Sequence, residues 1–213
     1  MKHLIKFMMM KKIVVLIGIL ISIISCGDSN SNKQQEDTSE NHVFSSKETG
    51  WTISIPTNWK IISTEQNEEN VKKESEALQK MVEGEIDSSK LKSLISFQKD
   101  QFNNFQSTSE PFEPKYSEEW EVSSAASKEL VYNSYENQGI KVDSTATSII
   151  NIDGLDFHTY EFIVYDSDGA IILNQIMYSR FINGLDFGVN INYNNESDKK
   201  ELVDAWMNSK FTK

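Results

Sequence analysis

An α+β domain built on an antiparallel β-sheet is expected from three features of this chain. Residues 140–193 carry the turn sequences Asp153-Gly154, Asp166-Ser167-Asp168-Gly169 and Asn183-Gly184 between runs of apolar and β-branched residues, which is the chemistry of tight hairpins. Segments 64–83, 116–138 and 196–209 instead space their apolar residues helically. The strands on either side of the 166–169 turn are apolar on both faces, with Phe157, Phe162, Ile163 and Val164 before it and Ile171, Ile172, Leu173, Ile176 and Met177 after it. Such strands need cover on both sides of the sheet, at least at its centre.

In chain order, the first strand is Trp51-Thr52-Ile53-Ser54-Ile55, which puts the indole and two isoleucines on one side and two hydroxyls on the other. Gly50 suits a hairpin with residues 43–46, and Pro56 ends the strand. Ser63 with Gln66 reads as a capping box for helix 64–83. Glu68/Lys72, Glu69/Lys73 and Glu76/Lys80 support that helix at i,i+4. Val71, Ala77, Leu78, Met81 and Val82 form its narrow apolar stripe, and Gly84 stops it. A short strand at about 93–99 leads into an irregular, polar stretch through Pro111 and Pro114. The second helix, 116–138, carries Val122, Ala126 and Leu130 at fourfold spacing and ends at Gly139.

Residues 140–193 then read as four strands. In the fourth, Leu185, Phe187, Val189, Ile191 and Tyr193 alternate with Asp186, Gly188, Asn190 and Asn192, so one face is buried and the other meets water or a polar layer. Helix 196–209 presents Leu202, Trp206 and Ser209 to the core. Gly-Leu-Asp-Phe occurs at 154–157 and again at 184–187, which two similar turns explain more simply than a repeat architecture.

The start of the chain is of another kind. Lys11 and Lys12 precede a run at 13–24 that is apolar except for Gly18 and Ser22. The run falls short of the roughly 20 apolar residues of a membrane-spanning helix and has the layout of a secretory signal. Met8, Met9 and Met10 precede the basic pair, and a chain starting at Met10 would hold a complete signal. Residues 27–40 contain no aliphatic or aromatic side chain and read as a flexible tether spanning roughly 20 Å. Residues 41–213 make one domain. Without residues 1–25, which hold four lysines and no acid, the chain keeps 17 basic against 32 acidic residues, a net charge near −15. That balance disfavours nucleic acid and anionic lipid surfaces as partners.

Two resemblances follow from these residues. Ile23-Ile24-Ser25-Cys26 resembles the lipobox of bacterial lipoproteins, which implies cleavage before Cys26 and lipidation of its thiol and amine. Residues 1–25 are then a signal peptide and 26–40 the tether, and two acyl signals supply the membrane attachment that one chain would leave marginal. The second resemblance runs through most of 43–211. Gly50, the alternating strand and Pro56-Thr57-Asn58-Trp59 are similar to the opening of PsbP and Mog-type domains. Ile152-Asp153-Gly154-Leu155-Asp156-Phe157 resembles their central hairpin, and Asn208-Ser209-Lys210-Phe211 their closing motif. This resemblance implies an α/β/α sandwich, an antiparallel sheet with helices on both faces. The charged insertion at 64–90 departs from the family pattern. The family hosts unrelated functions, so it transmits none.

Chemistry-bearing residues are few. Cys26 is the only cysteine, so the mature chain has neither disulfide nor free thiol once it is acylated. His42 stands at the tether junction and His158 in a strand with Asp156 and Tyr160 on its side of the pleat, an ordinary setting for a hydrogen-bonded histidine. Ser89/Lys92 and Ser96/Lys99 fit the Ser-x-x-Lys spacing of penicillin-recognising enzymes without the helix start that chemistry needs. Asp166-Ser167-Asp168-Gly169 opens like a calcium loop but lacks the later ligands. Glu65, Glu68, Glu69, Glu74 and Glu76, with Glu118, Glu119 and Glu121, read as solvated helix faces. Phe112, Trp120, Tyr132 and Tyr135 are the residues to examine for a groove.

No catalytic, cofactor or metal site is expected, and Cys26 is the one modified residue. The expectation is a non-catalytic binding or assembly module, held to the membrane by its N-terminal lipid and working with a protein partner. A small-ligand carrier is the alternative and an exported hydrolase a distant one. The location is the bacterial cell envelope. Gly27 after the cysteine favours the outer membrane in a Gram-negative cell.

Overall fold

The structure, a computed structural model, describes residues 43–79 and 88–212. The apolar run, Cys26, the tether, His42 and Gly84 lie outside these residues. β1 (Val43–Ser46) and β2 (Trp51–Ser54) form the hairpin expected at Gly50. That glycine sits at φ 70°, and a Cβ there would meet the Thr212 carbonyl oxygen at 2.7 Å, so both conformation and contact select glycine. β3 (Lys60–Ile61) leads into α1 (Thr64–Gln79), whose Ser63 hydroxyl accepts the Gln66 N–H at 3.3 Å as a capping box requires. β4 (Lys92–Gln98), β5 (Asn104–Pro111) and α2 (Glu119–Asn137) follow. β6 (Val142–Ser144), β7 (Ser148–Ile152), β8 (Leu155–Tyr165), β9 (Ile171–Ile182) and β10 (Leu185–Tyr193) come next, then α3 (Glu196–Met207) and β11 (Lys210–Phe211).

The main sheet is antiparallel throughout, in the order β3-β4-β5-β10-β9-β8-β6, with β7 also paired to β8. A small sheet, β1-β2-β11, lies over one of its faces. The alternation of β10 sorts the two sides of the main sheet. Phe187, Val189, Ile191 and Tyr193 join Phe97, Phe105 and Phe157 in an aromatic core closed by Trp51 of the small sheet and by Leu202 and Trp206 of α3. The Trp206 ring lies within 5.3–6.4 Å, centroid to centroid, of Trp51, Phe105, Phe157, Tyr178, Phe187 and Phe211. On the other side, Val131 and Tyr135 of α2 pack on Phe162, Val164, Leu173 and Met177, while α1 sets Asn67 and Val71 against Ser96, Gln106 and Thr108. Helices therefore cover both faces, and the fold is the expected α+β sandwich.

Four details correct the sequence reading. The polar stretch after residue 99 contains β5, a central strand paired with both β4 and β10. Ser107 explains how so polar a strand is buried: its hydroxyl accepts the Ile95 N–H at 3.2 Å and donates to the Ile95 carbonyl at 3.1 Å, where the β4 register shifts. The region from residue 140 holds five strands, because β6 and β7 pair with successive parts of β8. α2 buries Trp120, Ser127, Val131, Ser134 and Tyr135, and leaves Val122 38% exposed. Finally, Ser209 falls beyond α3, where it accepts the Trp51 indole N–H at 3.0 Å just ahead of β11.

Candidate functional site

The side of β10 opposite the aromatic core carries Asp186, Gly188, Asn190 and Asn192, and its neighbours continue that polar surface. In the β5 pairing Asn192 faces Asn104, Asn190 faces Gln106, Gly188 faces Thr108 and Asp186 faces Glu110. In the β9 pairing Asn192 faces Gln175 and Gly188 faces Ser179. Side chains directly opposite in an antiparallel pair share a face, so these residues make one polar layer in the middle of the sheet. α2 meets it with small hydroxyls, the Ser124 and Ser179 oxygens lying 3.2 Å apart.

Part of the layer is satisfied internally: Asn192 donates to Asn104 at 3.1 Å, and the Tyr135 hydroxyl reaches Gln175 Oε1 at 3.5 Å. Burial pushes that tyrosine up to about 12. The rest is not satisfied. Asn190 is 2% exposed, and neither its amide nitrogen nor its oxygen has a hydrogen-bond partner. The Asn192 oxygen and the Gln175 nitrogen are also unpartnered. Such groups each cost roughly 1–3 kcal/mol, so a cluster of them is a departure from ordinary packing.

Asp186 ends the layer beside Phe112, Trp120 and Phe181. Full burial pushes its carboxyl up to about 6, against the pull of the nearby Trp120 indole, whose N–H lies outside hydrogen-bonding geometry. Burial also raises Tyr160, and the Asp186 charge adds to that shift.

Beyond β5, on the same face of the sheet, a cleft lies between α1 and β4. The cleft has a volume of about 660 Å³, with Val71, Leu91 and Leu94 on its walls and Glu68, Lys72, Glu76 and Lys92 at its rim. A second, small cavity of about 10 Å³ adjoins it, with Asn67, Val71, Leu91, Ser96, Gln106 and Thr108 in its lining. It has room for about one water-sized group.

The residues singled out from sequence disperse. His158 lies against Trp120, with ring centroids 4.9 Å apart and the planes tilted at 49°. Phe112 and Trp120 cluster with Phe181, whereas Tyr132 and Tyr135 belong to the cluster around Phe162 far along α2, so the four aromatics divide between two clusters. Ser89 precedes β4, Ser96 lies within it, and Lys99 is held by Asp198 at 2.5 Å and by Glu201 at 3.1 Å, so neither Ser-x-x-Lys pair stands on a helix. The Asp166 carboxylate accepts the Asp168 and Ala170 N–H groups, which makes its loop a self-satisfied hairpin turn. Among the described residues no group of three or more His, Asp or Glu could hold a metal ion, and no helix is long and apolar enough to cross a membrane.

The short motifs singled out for their resemblance to PsbP and Mog-type domains stitch the fold together. The Trp59 indole donates to Glu201 Oε2 at 2.7 Å, tying the first loop to α3. Asp153, in the central turn, accepts the Phe211 N–H at 2.8 Å and Lys210 at 3.0 Å, tying that turn to β11. The polar layer itself was signalled by the alternation of β10, but its continuation through β5 was not, because that strand lacks apolar periodicity.

No family model matches the sequence, and no curated protein is similar to it at the sequence level. Among solved structures, the chain is similar to the cyanobacterial PsbP (CyanoP) of Synechocystis sp. PCC 6803, with a TM-score of 0.55 at 10% identity over 89% of this chain and 99% of that one. Identity that low speaks for the fold alone, and the fold of this chain is PsbP-like.

Proposed function

We propose that this chain is a lipid-anchored module of the bacterial cell envelope that works by binding rather than by catalysis. The observation that carries the proposal is the order of its parts: a basic pair, an apolar run, Ile23-Ile24-Ser25-Cys26, a tether without apolar residues, and a domain whose first strand begins at Val43. Cys26 is the acylated residue, and the lipid provides the membrane contact that a net charge near −15 would oppose. Gly27 favours the outer membrane if the cell is Gram-negative. The PsbP-like fold is compatible with an accessory, non-catalytic role, and the acidic surface suits a neutral or basic protein partner rather than nucleic acid.

A hydrolase is disfavoured by Lys99, whose ammonium is engaged by two carboxylates instead of activating a serine. A small-ligand carrier gains support from the cleft beside α1. Cys26→Ala is expected to abolish acyl labelling and membrane retention. Equal labelling of the variant would refute the anchor. Capture of partners from native membranes by the acylated protein tests the binding role, and turnover of an ester, peptide or glycoside abolished by one point substitution would overturn it.

A further inference from the structure

The edges of the main sheet are guarded unequally. β3 is two residues long and carries Lys60, whereas β7 pairs with β8 alone and leaves its other side open. The turn after β7 fixes which backbone groups face out. Asp153 and Gly154 have φ 50° and 84°, a two-residue turn whose flanking pair, Ile152 and Leu155, exchange hydrogen bonds both ways. Alternation then directs the N–H and C=O of Ile150 to Phe157 and leaves those of Ile149 and Asn151 at the open edge. Ile149 is 66% exposed, more than any other large apolar residue among those described. It stands on the α2 side of the sheet, across from the His158 that lies against Trp120. Residues 144–152, Ser-Thr-Ala-Thr-Ser-Ile-Ile-Asn-Ile, contain no charge and no proline, the devices that normally keep such an edge from pairing.

We propose that β7 pairs antiparallel with β7 of a second copy of this chain, in the two-fold register that sets Ile149 opposite Ile149. A strand paired with itself about a two-fold axis is its own complement. Ile149 covers its symmetry mate, and Asn151 of each copy faces Thr147 of the other, so apolar meets apolar and polar meets polar. Charges of opposite sign flank the seam on the same side of the sheet. The Lys128 ammonium lies 4.9 Å from the Tyr160 ring centre and donates to the Thr145 carbonyl, with no carboxylate against it among the described residues, while Asp156 accepts from Asn151. The pairing brings each Lys128 toward Asp156 of the other copy. Two acidic chains repel over most of their surface, and this uncharged stretch is where they can meet. A five-residue strand gives a seam that is small beside the roughly 1,600 Å² of a standard interface, so the dimer is weak and concentration-dependent. It does not depend on the membrane address.

The test is disulfide trapping in the purified full chain in detergent, with the parent chain as the blank for any disulfide through Cys26. Residues that exchange hydrogen bonds across an antiparallel pair have Cα atoms about 5.5 Å apart, within the roughly 4.4–6.8 Å that a disulfide spans. Ile149→Cys is expected to give at least about tenfold more covalent dimer than Ile171→Cys, which is 56% exposed and lies beside the 166–169 turn. Thr147→Cys and Asn151→Cys should each give none alone, because four residues, about 13 Å, separate each from its own symmetry mate, and should cross-link when the two variants are mixed. Ile149→Lys added to both of those variants should cut that cross-link about tenfold, since like charges would stand directly opposite. All four positions are exposed, so the substitutions leave the core intact. No dimer above the blank from Ile149→Cys, as much dimer from Ile171→Cys or from Asn151→Cys alone, or no cross-link in the mixture would overturn the proposal.

Discussion

Phe157 and Phe187 meet in the aromatic core with ring centroids 6.3 Å apart and planes at 72°, each closing a copy of Gly-Leu-Asp-Phe. The tetrapeptide does the same work twice: glycine in the left-handed turn, then a strand whose phenylalanine points inward. The preceding aspartates point to the other side of the sheet and differ. Asp156 is exposed and accepts the Asn151 amide at 2.7 Å, whereas Asp186 is 4% exposed and has one oxygen without a partner.

That difference has a measurable sign. The folded protein holds the Asp186 carboxyl up to about 6, above its ordinary 3.8, so between these values the native state keeps a proton that the unfolded chain has lost. Stability from this group therefore falls as pH rises from about 4 to 6 and stays lower above that. Glu110 faces it from β5, with Trp120 of α2 and Tyr160 of β8 also close. Asp186→Asn should remove that slope and stabilise the protein at pH 7 by about 1–3 kcal/mol. Urea midpoints of both proteins from pH 4 to 8 check this, and an unchanged slope would show that the carboxyl is not perturbed.

Around Trp59 the electrostatics run the opposite way. The indole hydrogen bond, helped by Lys99, holds the Glu201 carboxyl below its ordinary value. Burial of Asp198 is outweighed by bonds from Asn195 and Lys99, so its carboxyl is low as well. The Asp198 hydrogen bond leads the interactions that hold Lys99 high. The two acids contribute stability that is present above the unfolded carboxylate range and lost as pH falls through their lower folded values; Lys99 contributes below about 10.5 and loses its share as pH rises further. Lys99→Met should therefore flatten the acid limb of the stability curve. Trp59→Phe keeps the ring but loses the donor, and should cost about 1–2 kcal/mol at pH 7 by urea denaturation.

Elements whose signal is local were legible in the sequence: the 166–169 turn, the alternation of β10, the capping box at Ser63, and Trp206 as the residue closing the core. Elements defined by a partner were not. β5 holds Ser107 and Ser109 where apolar residues would advertise a buried strand, and only the bulge in β4 supplies the groups that satisfy Ser107. α2 misled because its buried stripe interleaves Ser127 and Ser134 with Trp120, Val131 and Tyr135, while Val122, the more conspicuous residue, faces out. The unpartnered state of Asn190 depends on its neighbours across the sheet, Gln106 on β5 and Met177 on β9, which no local pattern encodes.

Trp206 separates packing from hydrogen bonding. Its side chain is fully buried among six aromatic rings, yet its indole N–H has no partner. Trp206→Ala should cost roughly 3–5 kcal/mol, because the surrounding rings cannot collapse fully into the space. Trp206→Phe removes the unpaired donor along with part of the ring, so its loss should be well under half that of the alanine variant. Thermal or urea unfolding ranks the two. Equal losses would place the contribution in a polar contact rather than in ring volume.

The last expectation concerns where the domain begins. β1 starts at Val43, whose neighbour Phe44 packs on Trp51 with ring centroids 5.5 Å apart, so the aromatic core recruits the chain from this point onward. Residues 27–40 offer no aliphatic or aromatic side chain that could extend that core. A chain starting at Asn41 should therefore unfold cooperatively at the same urea midpoint as the mature protein, within about 0.5 kcal/mol, because removing solvated polar residues changes little buried area. Phe44→Ala in the shortened chain should lower the midpoint clearly, since it removes one edge of the Trp51 packing. A large loss on removing residues 1–40, or none in the Phe44 variant, would move the boundary of the domain.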